Sequence, residues 1–126
     1  MIERDYVMRI VKQIAELLAR ALKLKVEKRW DEAAQTIEGG CLDLLGIEFA
    51  ALALVDSVAG AALLGNVTRI RVFARLLEEL AGIYREEGSE ALARARAKHA
   101  REMYREVLKR KADDAEALEA LQRLGT

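Results

Sequence analysis

Apolar residues recur at helical spacing along almost the whole chain, and the runs are punctuated by glycines, often with Asn, Ser or Asp just after them. Helices end and restart this way, because glycine accepts the left-handed conformation past a last turn and a short polar side chain caps the next first turn. Gly65-Asn66 and Gly88-Ser89 are the clearest joints. Between joints, the three-to-four periodicity predicts helices near 2–26, 30–45, 57–64, 67–87, 90–111 and 114–124. Asp113 opens the last of these, with Glu116 three residues on in a capping-box arrangement. The joint at Gly88-Ser89 is so short that the segments on either side run antiparallel as an αα-hairpin.

The first two segments match the fourth and fifth at one constant offset. Leu17, Ala21 and Leu24 fall over Leu77, Ala81 and Tyr84, while Ala33, Ile37 and Gly40 fall over Ala93, Ala97 and Ala100. These are the spacings of large and small residues in a tetratricopeptide repeat. Gly40 stands where that repeat needs a small residue for close helix contact, which would offset the cost of about 1 kcal/mol for glycine inside a helix. Gly39 has no such slot. Arg20 stands in place of the usual leucine, Ala97 is small where a bulky residue belongs, and no proline closes either unit. The expected architecture is an all-α, tetratricopeptide-like bundle of five to six helices in a single domain. It divides into a first hairpin (1–46), an insertion (47–66) with one short helix, a second hairpin (67–112) and a capping helix (113–126).

The chain opens on MIERDYVMRI, continues into a long Leu/Ala helix and then reads KRWDEAA over residues 28–34. This resembles an uncharacterised bacterial family whose chains open on M-I-x-x-D-Y-[IV]-M-R and continue into a tetratricopeptide-like hairpin. The resemblance implies a helical fold. That family has no assigned activity, so no functional residues carry over, and the last segment here is shorter than the family's.

Composition agrees with an all-α chain: there is no proline, aromatics are few, and 126 residues suffice to bury a core without metal or disulfide. Cys41 is the only cysteine and closes no intrachain disulfide. The charged N-terminus offers no apolar leader, and the reading is cytoplasmic. The longest apolar run, Phe49 to Gly65, carries Asp56 and Ser57 at its middle and falls short of the roughly 20 residues that span a bilayer. Net charge is zero, yet residues 1–30 hold eight Lys/Arg against four Asp/Glu, 31–66 none against six, and 89–112 eight against three. Such blocks attract one another across a fold.

Two surfaces invite a partner. On the first helix, Arg9, Lys12, Gln13, Glu16, Arg20 and Lys23 form one polar stripe and leave most of the circumference apolar, so the helix must touch more than one neighbour. Its groove positions in a tetratricopeptide unit are Leu18, Leu22, Lys25 and Val26, against Glu78, Gly82, Arg85 and Glu86 in the second unit. Leu18, Leu22 and Val26 therefore need a cover. The candidates are the inserted segment, through Phe49 and Leu52, a second copy in a homodimer, or a foreign protein. On the fifth helix, Arg94, Lys98, Arg101, Arg105 and Lys109 share one face and form a candidate polyanion site, although no aromatic residue is interleaved for base stacking.

Catalysis needs convergent groups, and few are present. His99 is the only histidine, which rules out a multi-histidine metal site within one chain. Cys41 lies in an apolar helical run without a histidine in its helix, and no phosphate-binding glycine loop or nucleophile elbow occurs. Trp30, Tyr6, Tyr84 and Tyr104 sit at helix ends or on apolar stripes, as packing residues do. No cofactor or metal is expected. The sequence therefore points to a non-catalytic protein–protein interaction or self-assembly module, with nucleic-acid or other polyanion binding as the alternative.

Overall fold

The periodic apolar stripes become helices wherever they run between capped joints. The computed structural model describes residues 2–125, with side chains from Arg4 onward, and contains no strand among them. The helices are α1 (Ile2–Val26), α2 (Trp30–Leu45), α3 (Phe49–Ala53), α4 (Ser57–Leu64), α5 (Val67–Glu87), α6 (Glu90–Arg110) and α7 (Ala115–Leu124). The insertion thus holds two helices rather than one. The extra helix, α3, has five residues and no side-chain cap, so neither periodicity nor a capping residue announces it.

Side chains cap some joints and not others: Ser89 donates its hydroxyl to Glu87 at 2.7 Å and does not cap the first turn of α6. Asp56 Oδ1 accepts the Ala59 N–H at 2.8 Å and Asn66 Oδ1 accepts the Arg69 N–H at 2.9 Å, opening α4 and α5. Gly88 turns the chain from α5 into α6 with φ of 95°, a conformation that costs a side-chain-bearing residue about 1 kcal/mol or more. The last helix departs from expectation by one residue. Asp114, not Asp113, is its cap: extended backbone there lets Oδ1 accept the Ala117 N–H at 2.9 Å, while Asp113 faces solvent. Glu116 then lies too near the cap to close a capping box.

Packing is centred on α5, whose Ile70, Phe73, Ala74, Leu76, Leu77, Leu80, Ala81 and Ile83 are all sealed from solvent. It forms its most extensive contacts with α6 and also packs against α2. Each large side chain so buried contributes about 1.5–3 kcal/mol. The outer layers are α1 on α2, α3 on α2, α4 on α6 and α7 on α6. At the α1–α2 contact, a Cβ on Gly40 would lie 2.4 Å from Leu17 Cδ2, so the missing side chain is what lets these helices approach.

Three polar anchors hold the layers in register. Arg69 Nε donates to the Leu64 carbonyl at 2.6 Å and its Nη2 to the Leu45 carbonyl at 2.7 Å, satisfying the C-terminal ends of α4 and α2 together. Glu78 accepts the Tyr104 hydroxyl at 3.0 Å and the Arg123 guanidinium at 3.0 and 3.1 Å, joining α5, α6 and α7. Buried Asp114 accepts Arg71 Nη2 at 2.7 Å.

Candidate functional site

The broad apolar circumference of α1 divides into two faces. Ile10, Leu17 and Ala21 are buried, with Tyr6, Ile14 and Leu24 packed beside them. The other face looks outward. Met8 and Val11 are each 61% exposed, Leu22 57% and Val26 75%, with Ala15 and Ala19 open between them. Leu18 is half-buried at the margin of this face and packs against the core. Met8, Val11, Ala15, Leu18 and Leu22 alternate at three and four residues, the spacing of a helix–helix seam, over about 27 Å from Met8 to Val26.

The inserted segment does not cover this face. α3 packs on α2, and α4 packs on α6 and α5, which leaves α1 with α2 as its one extensive neighbour. Phe49 and Leu52 serve the protein's own core, at 8% and 0% exposure, rather than the α1 surface. Their aromatic and aliphatic bulk is engaged inside: Phe49 lies 6.0 Å from Phe73, centroid to centroid, with the Arg96 guanidinium 5.2 Å over its ring. Leu18, Leu22 and Val26 stay on the surface, and Met8, Val11, Ala15 and Ala19 join them. Sequence reading omitted these four from the site, although they share the spacing of Leu18 and Leu22. Beside the stripe, Val7, Ile10, Val11 and Ile14 face Thr68, Val72 and Arg75 of α5 across a groove of about 180 Å³. At the other end of α1, Lys25 Nζ lies 3.7 Å from Glu86 of α5.

Further apolar residues are exposed on the insertion, at Leu54, Val58 and Leu63. Val58 and Leu63 point to different sides of α4, so they form no line comparable to that of α1.

The five cations of α6 are not equally available. Arg101 donates to the Leu124 carbonyl at 3.2 Å, closing the end of α7, and Lys109 pairs at 2.5 Å with buried Glu106. Arg94, Lys98 and Arg105 are exposed outside any such pairing, and Lys109, though paired, is exposed as well. A cleft of about 440 Å³ lies between α6 and the α3–α4 connection and includes Ser57, His99, Glu102, Arg105 and Lys109. Ser57 donates to Glu102 at 3.2 Å, and His99 sits edge-on to Phe73 at 5.5 Å. Burial holds the His99 imidazole below its ordinary pKa, with Glu102 opposing the shift and Arg96 adding to it. Among the described residues no group of three His, Cys, Asp or Glu side chains is placed to hold a metal ion. Nor is any helix long and apolar enough to cross a membrane.

No family model, curated protein or solved structure matches the chain.

Proposed function

We propose that the protein is a non-catalytic docking module that binds protein, including its own chain, through the outer face of α1. The observation behind this reading is the unbroken stripe Met8, Val11, Ala15, Leu18, Leu22 and Val26 on an edge helix, where no other described part of the chain covers it. Contiguous apolar surface of this kind marks interaction sites on soluble proteins. An amphipathic helix presented with its apolar face outward is also a recurring mode of protein recognition. The repeat-like match between the two hairpins supports the same reading, since tetratricopeptide-type stacks are used as binding scaffolds.

The test is capture from cell extract on immobilised wild-type protein and on a Leu22→Asp, Val26→Asp variant. Both positions are exposed, so the variant keeps the wild-type fold and stability to within about 0.5 kcal/mol. Proteins retained by the wild type, its own chain included, are expected to be lost from the variant. Equal retention by both would overturn the assignment to this face.

A further inference from the structure

Beside its apolar stripe, α1 carries a second pattern. Asp5, Lys12, Glu16 and Lys23 are all exposed, and their spacing of seven, four and seven residues places them on one line along the helix. The line borders the stripe on the side away from α5, since Val7, Ile14 and Lys25 occupy the opposite border and meet α5. None of the four takes part in an ion pair among the described residues. Their signs alternate, acid, base, acid, base, from N- to C-terminus. Such a line is its own complement when reversed.

Two copies of α1 laid face to face and antiparallel meet along the same border, because a two-fold axis perpendicular to the helices keeps that border on one side. Reversal about Ala15 brings Lys23 of the second copy to within two residues, about 3 Å along the helix, of the level of Asp5, and its Glu16 equally near the level of Lys12, each pair occurring twice by symmetry and within reach of long side chains. The same register sets Met8 against Leu22, Val11 against Leu18 and Ala19, and Ala15 against itself on the axis. Large side chains thus fill the ends of the seam, while the small residue at its centre lets the backbones come together. A parallel pair would bring the charged line against the opposite border of the second helix. There Lys12 and Lys23 would find Val7 and Lys25 of the second helix, the latter already paired with Glu86.

We propose that the occupant of the α1 face is a second copy of this chain, α1 packed antiparallel on α1 with the axis at Ala15. The proposal rests on the reading of that face as the docking surface and adds the identity and direction of the partner. A foreign helix would give this line of charges no reason to be self-complementary, whereas pairing of opposite charges across a helix seam is how such seams select partner and orientation.

The experiment uses the absolute mass of the purified full chain over a wide dilution series, for the wild type and three variants. Leu22→Asp disrupts the seam. Lys12→Glu with Lys23→Glu makes the line wholly acidic, and Asp5→Lys with Glu16→Lys makes it wholly basic. The wild type is expected to be a dimer, and each variant alone is expected to dissociate with a Kd raised at least about 100-fold. An equimolar mixture of the acidic and basic variants is expected to recover the dimer mass, which misfolded variants could not do. A wild type that stays monomeric at every concentration would overturn the second copy as occupant and leave the docking face to a foreign protein. A dimer indifferent to Leu22→Asp would overturn the face itself, and with it the function proposed above. A dimer broken by Leu22→Asp but unaffected by the charge variants, or not recovered on mixing them, would overturn the antiparallel register.

Discussion

Adjacent glycines in α2 experience opposite surroundings. A methyl group on Gly39 would meet nothing within 4 Å, whereas one on Gly40 would meet Leu17 at 2.4 Å. Gly39→Ala is therefore expected to raise stability by about 0.5–1 kcal/mol through helix propensity alone. Gly40→Ala gains the same propensity but must displace a buried leucine, and is expected to lose about 1–3 kcal/mol overall. Urea denaturation of the two variants at high dilution reads the contrast directly. One residue further on, burial pushes the Cys41 thiol up to about 11, with the nearby charge of Arg69 opposing it. Cys41 is thus a core residue with little thiolate at neutral pH. Its labelling by a thiol reagent is expected to track the unfolded population across a denaturant series; rapid labelling of the native protein would contradict this.

At the scale of elements, α7 is secured by charge at both ends, through Asp114 to Arg71 and through Arg123 to Glu78. Burial alone would raise the Asp114 carboxyl, but the Ala117 N–H and the Arg71 guanidinium outweigh it and hold the group below its ordinary value. A carboxylate depressed in the folded state contributes stability above its unfolded pKa, near 3.8, and loses it as pH falls through the folded value. Asp114→Asn is expected to cost about 1–3 kcal/mol at neutral pH, with the difference from wild type closing in that acidic window. Thermal melts across pH check both statements. The main helix boundaries were readable in the sequence because glycine, Asn and Asp mark them chemically. The cap of α7 was not, since two aspartates stand side by side and only tertiary structure buries one of them against Arg71. Nor could the sequence divide the α1 circumference, because burial of Ile10 and exposure of Val11 depend on where α2 lies. Phe49 and Leu52 were equally ambiguous: an apolar run states that a residue needs cover, not which surface supplies it.

Across the whole molecule, neutral net charge conceals a basic first helix beside an acidic second one and a basic sixth. The α6 face offers Arg94, Lys98 and Arg105 once Arg101 is engaged at the end of α7 and exposed Lys109 is neutralised by Glu106. Polyanion binding through those three residues would give a salt slope no steeper than about −3, since each phosphate neutralised contributes about −0.9 on duplex DNA. A salt titration of binding to duplex DNA is expected to show at most that dependence and negligible retention at physiological ionic strength. A steeper slope would restore the full row of five cations to consideration.

The two carbonyls held by Arg69 belong to Leu45 and Leu64, the last residues of α2 and α4, one just before the insertion and one near its end. One guanidinium therefore brings the entrance and exit of that segment to a single point, as a clasp closes a necklace. A segment whose ends are pinned together can grow at its tip with little entropic cost to its surroundings. The tip is Leu54, 86% exposed between α3 and α4. A foreign peptide spliced in there would be displayed like a cargo on a fixed mount, with both hairpins left as they stand.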